Sequence, residues 1–496
     1  MVPEHLRFGG GVESTILNPV VMVILAITCA LILFLPRRKI IVPFLLAVFL
    51  IPFDQILVVG GLHFPLLRVL ILAGMIRIFI IKGAGEWRTF SGGFNKIDAA
   101  VILLAVNVAV AGVLLFHNGQ AFIFQSGALY TTLGTYLLLR CLIRDREDFV
   151  RSVRTLAFIV LVLGAVMVFE HITRGWNPYA LLGGANASTF AAEMIRNGHV
   201  RATGSFSQPI LAGTFGAVAV FFFITLWVSD KRQRRVAVAG VFGATVMVLA
   251  SSSSTPLIAY MCGVVALCFW PVRNSMRIVR WGVVLALVCL QMVMTAPVYH
   301  IITHLHTGDS YHRFQLIDQC VKHFSSWWLV GTASNASWGW DMWDTANQYV
   351  QTADNSGLLP LILLIAIMVL GFKYIGKARR AASDQQQAVF FWALGAAFFA
   401  EMVAFLGISL WDQSMVEWYL LLAFIGAVVA PCVRAGRQES GAELEPGMLP
   451  VDPEPVYAAW RARGPATRQF SRDRETSREP VRQGVPNSHG SFRYHR

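Results

Sequence analysis

The sequence predicts an all-α, polytopic helical membrane protein with about 13 transmembrane spans and a long outer loop that contains a surface helix. Three observations indicate this class: the composition, the length of the apolar runs and the distribution of basic residues between them. Of the 496 residues, 56% are hydrophobic and 14% are charged, and the mean hydropathy is +0.58. A soluble globular domain carries about 25% charged residues, so the composition argues against a soluble class.

Thirteen apolar runs are the candidate spans, because a helix of roughly 20 residues crosses the hydrocarbon core. The predicted spans cover residues 18–35, 40–60, 65–81, 97–116, 121–139, 153–172, 208–228, 236–250, 256–271, 278–296, 358–375, 388–407 and 414–432. The second run is the least regular, since it contains Pro52, Gly60 and Gly61.

Basic residues occur in alternate loops between the predicted spans. One set of loops contains Arg37, Arg38 and Lys39; Lys82, Arg88 and Lys96; Arg140, Arg144, Arg146 and Arg151; Lys231, Arg232, Arg234 and Arg235; Arg273, Arg277 and Arg280; and Lys373, Lys377, Arg379 and Arg380. The intervening loops, at 53–64, 117–120, 251–255 and 408–413, contain no Lys or Arg. Because basic loops stay in the cytoplasm, we expect an outer N-terminus, a cytoplasmic C-terminus and a multi-pass protein of the bacterial cytoplasmic (inner) membrane. The same pattern assigns the net charge of +13 to topology, so we expect the lipid bilayer, and no nucleic acid, as a partner.

Two domains are predicted from the change in composition near residue 433. Residues 1–433 form the transmembrane domain, and its two long loops, 173–207 and 297–357, share the outer face. Residues 434–496 are rich in Arg, Glu, Pro and Ser and poor in apolar residues. Such a segment cannot bury enough apolar surface to offset its chain entropy, so we expect a disordered cytoplasmic tail.

The long outer loop contains a pattern that predicts an amphipathic helix from Phe314 to Trp328. Apolar residues recur at helical spacing at Phe314, Ile317, Val321, Phe324 and Trp328. Two interpretations remain open. The helix lies on the outer membrane surface, with Trp327 and Trp328 at headgroup depth, or it packs as a lid on the bundle. Both put Arg313 at the start of the helix.

The same loop combines aromatic rings with carboxylates and amides, which is the mixture that sugars require. Flat apolar faces cover C–H surfaces, and polar groups bind hydroxyls. The candidate glycan-binding residues are Trp338, Trp340, Asn347 and Tyr349, with Asp341 and Asp344 beside them. An interfacial aromatic belt is the alternative, but it accounts only for the tryptophans.

Two arginines, Arg201 and Arg313, lie in the long outer loops, on the side whose short loops contain no basic residues. A planar guanidinium there can bind a phosphate through two parallel hydrogen bonds. The alternative for Arg201 is a structural salt bridge with Glu193.

Three loop histidines, His300, His304 and His306, raise the question of a metal site. The first two are one helical turn apart, but no fourth ligand or supporting set of hydrogen bonds is defined. We therefore expect no metal and no cofactor.

Three stretches resemble the O-antigen ligase and O-antigen polymerase superfamily of bacterial envelope glycan enzymes. The first is Arg201-Ala-Thr-Gly-Ser-Phe-Ser-Gln208-Pro209 before a span, and the second is Arg313 followed by Gly331. The third is Asn347-Gln-Tyr349, which leads to Gly357-Leu-Leu-Pro-Leu361. Leu35-Pro-Arg-Arg38 and Gly61-Leu-His-Phe64 through Arg68 are similar to one branch of the superfamily.

The resemblance implies transfer of a glycan from a polyprenyl-pyrophosphate carrier to a hydroxyl of a second glycan on the outer face. It implies that Arg201 and Arg313 bind the pyrophosphate, that Gln208 contributes to glycan binding, and that other envelope polysaccharide assembly proteins are candidate partners. Ligases carry a histidine just before the Asn-x-Tyr motif, where this chain has Ala346. The general base is therefore open among Asp344, Asp341 and His312.

The rival function is a transporter or flippase for the same class of lipid-linked oligosaccharide. Such a protein needs charged groups inside its spans, facing a central cavity. The spans carry few such groups, and Glu170, Arg68, Glu401 and Glu417 all lie near span ends. This favours the enzyme.

Reporter fusions test the predicted topology. A fusion at Gly119 should report the periplasm and a fusion at Lys231 the cytoplasm, because only the second lies in a basic loop. Alkaline phosphatase and a cytoplasmic fluorescent protein give opposite readouts, so each controls for the other. The same compartment for both sites would contradict the thirteen-span topology.

Overall fold

A computed structural model of the chain describes residues 15–52, 55–83, 90, 93–183, 195–196, 198–294, 296–301, 303, 310–342, 344–411, 413–429 and 431. These residues form sixteen α-helices and two short two-stranded hairpins. The predicted tail, 434–496, lies outside the described residues.

The helices are α1 (Pro19–Phe34), α2 (Arg37–Leu50), α3 (Leu66–Gly83), α4 (Lys96–Phe116), α5 (Gly119–Leu142), α6 (Arg146–Ile172), α7 (Pro209–Ser229), α8 (Arg234–Ala250), α9 (Ser254–Cys268), α10 (Met276–Val293), α11 (Ser310–Lys322), α12 (Phe324–Trp327), α13 (Gln348–Ser356), α14 (Leu358–Arg380), α15 (Gln385–Ala404) and α16 (Gln413–Phe424). A π-helical turn, Ile425–Val429, continues α16. The strands are β1 (Ile56–Val59), β2 (Leu62–Pro65), β3 (Ile195–Arg196) and β4 (His199–Val200).

Seven of the described helical segments are long and apolar enough to cross a membrane. They are α4, α6, α7, the segment Lys231–Ala250 that contains α8, α10, α14 and α15. Three shorter apolar helices are α1, α9 and the segment Gln413–Val429. A helix lies at each predicted span, but the number of helices that cross a membrane, and their orientation, stay predictions. The end of the bundle that carries residues 173–207 and 297–357 is called the predicted outer end below.

The second predicted span, 40–60, is wrong over its second half, from residue 51 onward. Helix α2 ends at Leu50, and the chain then forms the hairpin β1–β2, in which Ile56 pairs with Pro65. Gly60 and Gly61 make the turn with φ angles of +59° and +77°, a conformation that glycine adopts without steric cost. Apolar composition alone did not separate the helix from this hairpin.

Helix α7 is the centre of the bundle. In its most apolar stretch 83% of the residues are buried, and the helix packs against α8, α9 and α15. Gly216 allows the closest approach, because a Cβ at that position would lie 2.7 Å from the carbonyl oxygen of Ala244. Close packing of this kind holds the helix ends at the predicted outer end in fixed positions.

A buried ion pair joins α4 to α5 at the opposite end of the bundle. Arg140 donates from Nε to Asp98 at 2.8 Å and from a terminal nitrogen to the second carboxylate oxygen at 3.2 Å. The hydroxyl of Tyr136 also donates to Asp98, and the carboxylate accepts from the backbone N–H of Asn95 at 2.8 Å. Arg140 and Asp98 are 0% and 1% exposed, so each charge depends on the other.

Replacing Arg140 by Met should destabilise the folded protein by about 3–5 kcal/mol, because it leaves the Asp98 carboxylate buried without its cation. Denaturant unfolding of the purified protein in detergent measures the loss. The matched control is Arg38→Met, since Arg38 pairs with Glu147 on the surface, at 61% and 40% side-chain exposure. Exposed pairs contribute about 0–1 kcal/mol. Equal losses in the two variants would contradict this account.

Candidate functional site

The predicted surface helix is present, but it is divided and its buried face differs from the prediction. Helix α11 ends at Lys322, and the single turn α12 follows after His323. The face that packs on the rest of the loop is formed by Leu316, Cys320 and Trp327, against Met342, Val350 and Ala353. Helix α11 therefore packs on α13, within the same loop, and the choice between the surface-helix and lid interpretations stays a prediction.

The predicted apolar stripe lies largely on the opposite, exposed side. Val321, Phe324 and Trp328 are 58%, 46% and 47% exposed. Contact of this face with lipid stays a prediction. The headgroup position predicted for Trp327 is wrong, since it is 5% exposed and its Nε1 donates to the carbonyl of Cys320 at 2.7 Å.

The Asn347-Gln-Tyr349 run forms the start of α13 and attaches it to the chain after α15. The side chain of Asn347 accepts from the backbone N–H groups of Tyr349 and Val350, at 3.0 and 3.1 Å, as a helix N-cap does. Its amide nitrogen donates to the carbonyl of Leu406 at 3.2 Å. The hydroxyl of Tyr349 donates to the carbonyl of Met402 at 2.9 Å. These contacts give both side chains a positioning role, and their glycan-binding role stays a prediction.

Two glycines of the resembling stretches hold α13 from its other end. Gly331 has φ +92°, and a Cβ there would lie 2.6 Å from the carbonyl oxygen of Asp354. Gly357 has φ +92° as well, and its Cβ would lie 2.6 Å from the carbonyl oxygen of Leu329. The backbone N–H of Thr332 donates to the backbone carbonyl of Asp354 at 2.6 Å. Only glycine fits both the crowding and the left-handed backbone.

The three candidate bases lie in one neighbourhood. Nε2 of His312 is 3.1 Å from the backbone carbonyl of Asp344, and the N–H of Asp344 donates to the carbonyl of Asp341 at 3.3 Å. The Asp344 side chain is exposed. Asp341 has a left-handed backbone with φ +58°, which costs energy for a residue other than glycine. Arg313 follows His312 directly and is 6% exposed, so this candidate cation lies inside the loop rather than on its surface.

The two candidate glycan-stacking tryptophans have different surroundings. Trp338 stacks on His323, with ring centroids 4.7 Å apart and an interplanar angle of 5°. Trp340 is 79% exposed. Trp340 therefore offers an accessible ring face, while one face of Trp338 is already covered.

Arg201 lies beside the serine turn between α8 and α9. Its guanidinium donates to the hydroxyl of Ser253 at 2.8 Å, and the next residue, Ala202, donates its N–H to the carbonyl of Ala250 at 3.0 Å. Helix α9 begins at Ser254 with Pro256 in its first turn, as the sequence suggests. Glu193, the alternative partner, lies outside the described residues.

Gln208 occupies the N-cap position of α7. Its side chain makes no capping hydrogen bond and is half-buried. The side chain is therefore not committed to closing the helix, and its predicted role in glycan binding remains a prediction.

Glu170 is the residue that sequence reasoning undervalued. Its carboxylate, 2% exposed, accepts from the backbone N–H groups of Thr203 and Gly204 at 3.0 and 3.1 Å and from the Thr203 hydroxyl at 3.3 Å. Asn177 adds a bond to the carbonyl of Gly204 at 2.7 Å. A carboxylate in the last turn of a helix opposes the helix dipole. The unfavourable position of Glu170 at the end of α6 was the sequence signal that its carboxylate is stabilised by a partner outside the helix.

A chain of contacts connects the segment that begins with Arg201 to the start of α13. Arg201 contacts Ser253, and two residues later Thr255 abuts Gly407, where a Cβ would lie 2.3 Å from the threonine hydroxyl. The preceding residue, Leu406, binds Asn347. The segment that carries Arg201 is therefore linked to Asn347 indirectly, through the start of α9 and the chain after α15.

Metal ligation finds no support among the described residues, where no group of three or more His, Cys, Asp or Glu side chains is suitably placed. Of the candidate histidines, His304 and His306 lie outside the described residues. The ring of His300 packs edge-on against Phe314, with centroids 4.8 Å apart.

No protein-family model matches the chain, and no curated protein matches it. Any functional proposal therefore rests on the geometry of the site and on the stretches that resemble the O-antigen ligase and polymerase superfamily.

The buried carboxyl group of Asp354, in α13, should make the stability of this loop depend on pH. Burial raises the pKa of Asp354 from 3.8 to about 6, against the opposing effect of hydrogen bonds from Asn335 and Cys320. Because the folded chain holds the proton more tightly than the unfolded chain, the free energy of unfolding should fall as pH rises from about 4 to about 6. At about 1.4 kcal/mol per unit, the loss approaches about 3 kcal/mol.

Asp354→Asn should remove this pH dependence, because it replaces the carboxyl by a neutral group of the same shape. Urea unfolding in detergent across the same pH range measures the slope. Asp344→Asn, at an exposed position, should keep the parental slope. An Asp354→Asn variant with the parental slope would contradict the assignment.

Proposed function

We propose that this protein transfers a glycan from a polyprenyl-pyrophosphate carrier to a glycan hydroxyl on the outer face of the bacterial cytoplasmic membrane, as O-antigen and exopolysaccharide polymerases or ligases do. The observation that carries the proposal is the placement of Arg201. Its guanidinium donates to Ser253, and the residues that follow Arg201 are held by Glu170. Contacts through Thr255, Gly407 and Leu406 connect this region to Asn347, at the end of the loop that carries Arg313 and the candidate bases.

The chemistry requires stabilisation of a leaving group with two anionic centres. The acceptor oxygen forms a bond to the anomeric carbon, the bond from that carbon to phosphate breaks, and the pyrophosphate leaves on the lipid. Arg201 and Arg313 neutralise the charge that develops on the phosphates. Asp344, which is exposed, is our first candidate to accept the proton of the acceptor hydroxyl. Asp341 and His312 are the alternatives.

An apolar pocket supports a lipid-borne donor. It lies between α2, α3 and α16 and is lined by Ala47, Val48, Ile51, Pro52, Leu66, Leu67, Leu70, Gln413 and Val416. The amide of Gln413 donates to the carbonyl of Ser205 at 3.2 Å, on the segment that begins with Arg201.

The rival proposal, a transporter or flippase for lipid-linked oligosaccharide, has one observation in its favour. Glu401 and Glu417 are each 1% exposed inside the bundle, and buried ionisable groups in membrane helices commonly mark transport pathways. A transporter would move the lipid-linked glycan without changing its length.

Arg201→Lys and Arg313→Lys should each lose most transfer while keeping charge and membrane insertion, because an ammonium cannot reproduce two parallel hydrogen bonds to phosphate. We expect a loss of about 10²-fold or more, the scale seen when one electrostatic contact to a transition state is removed. The measurement is the length distribution of lipid-linked and acceptor-linked glycan in a deletion strain complemented with each variant.

Arg38→Lys is the matched control, since its side chain is 61% exposed at the opposite end of the bundle. It should support parental glycan lengths. Parental transfer by Arg201→Lys and Arg313→Lys at equal expression would remove the phosphate role. Accumulation of finished glycan on the inner leaflet would favour the transporter.

A further inference from the structure

Two glutamates, Glu401 on α15 and Glu417 on α16, are buried where aromatic rings join these helices. The rings of Phe398 and Phe405 both contact Trp418, at centroid distances of 5.7 and 5.1 Å. Glu401 lies between these phenylalanines on the same face of α15, three residues after one and four before the other. Glu417 directly precedes Trp418, and the charge of Glu401 acts on it. The two carboxyl groups are therefore neighbours.

Neither carboxyl group has enough polar partners in the described part of the chain. Both oxygens of Glu417 and one oxygen of Glu401 are buried without a hydrogen-bond partner there. Gln413, one turn before Glu417 on the same helix face, is 2% exposed, and its side-chain oxygen is equally unsatisfied. The Gln413 amide nitrogen, by contrast, donates to the carbonyls of Ile51 and Ser205.

Burial at this level requires the charge to be neutralised. An isolated carboxylate costs tens of kcal/mol in a medium of low dielectric constant, and two neighbouring carboxylates cannot both ionise at low cost. Glu401 acts electrostatically on Glu417 and on Tyr349. All three groups are acidic, so none supplies a positive charge.

A proton fits these surroundings better than a metal ion. Hard cations such as Ca²⁺ take about six to eight oxygen ligands, and four unsatisfied oxygens are found here, on Glu401, Glu417 and Gln413. Aromatic rings occupy much of the remaining boundary. A proton needs only one acceptor, and an O–H group on one carboxyl would donate to the oxygen of its neighbour.

We propose that Glu401 and Glu417 form a proton-binding site in the core of the bundle, occupied at neutral pH. Glu401 directly precedes the segment Met402–Leu406, to which α13 is attached through Tyr349 and Asn347. It is separate from the arginines of the proposed transfer reaction and does not depend on that reaction.

Infrared spectroscopy of the full-length protein in lipid nanodiscs tests the proposal without altering the chain. At neutral pH we expect the carbonyl band of a protonated carboxylic acid, shifted when glutamate is ¹³C-labelled at the carboxyl and when H₂O is replaced by D₂O. Glu401→Gln and Glu417→Gln should each lose or strongly shift this band. Glu147→Gln, whose carboxylate is 40% exposed, should leave it unchanged.

Absence of a labelled band in the unaltered protein would overturn the proposal, whatever the folding of the variants. Persistence of the band in both Gln variants would assign it to another glutamate and overturn it too. A band that appears only after Na⁺ and divalent ions are removed would show that a metal ion, rather than a proton, occupies the site.

Discussion

The hydrogen bonds that the Glu170 carboxylate accepts are the interaction on which the structure of the predicted outer end depends. In a bundle of apolar helices, buried backbone N–H groups of a connecting segment have no water to bind and must be satisfied by the protein. Glu170 supplies this need at Thr203 and Gly204. The segment it fixes carries Arg201 toward Ser253 and presents the Ser205 carbonyl to Gln413. Four helices, α6, α7, α9 and α16, thus meet around one carboxylate and the segment that it holds.

The positions of the long helices could be predicted from sequence, because apolar runs of spanning length have few alternative structures. The second span failed because a run of apolar residues is equally compatible with a short hairpin, and Gly60 and Gly61 were the only local sign of the turn. The surface helix failed in a different way. Its pattern contains two apolar faces, and sequence could not tell that Leu316 and Cys320, rather than Val321 and Phe324, would be buried.

The candidate site was predictable in location but less so in the roles of its residues. The Asn347-Gln-Tyr349 run looked like a binding motif, yet its polar atoms are engaged in capping α13 and attaching it to the chain after α15. The partners that attach the helix, Leu406 and Met402, are more than fifty residues away in the sequence, so spacing could not reveal them. The side chains of Asn347 and Tyr349 therefore position α13, while Asp344 and Trp340 are exposed.

The central claim, glycan transfer from a lipid pyrophosphate, is tested most directly by reconstitution. The purified protein in proteoliposomes would be supplied with a fluorescent polyprenyl-pyrophosphate-linked glycan and an acceptor glycan, with no nucleotide sugar. The account predicts longer or acceptor-linked glycan, together with an equal amount of free polyprenyl pyrophosphate. A donor that crosses the bilayer with its glycan intact, and with no polyprenyl pyrophosphate released, would contradict it.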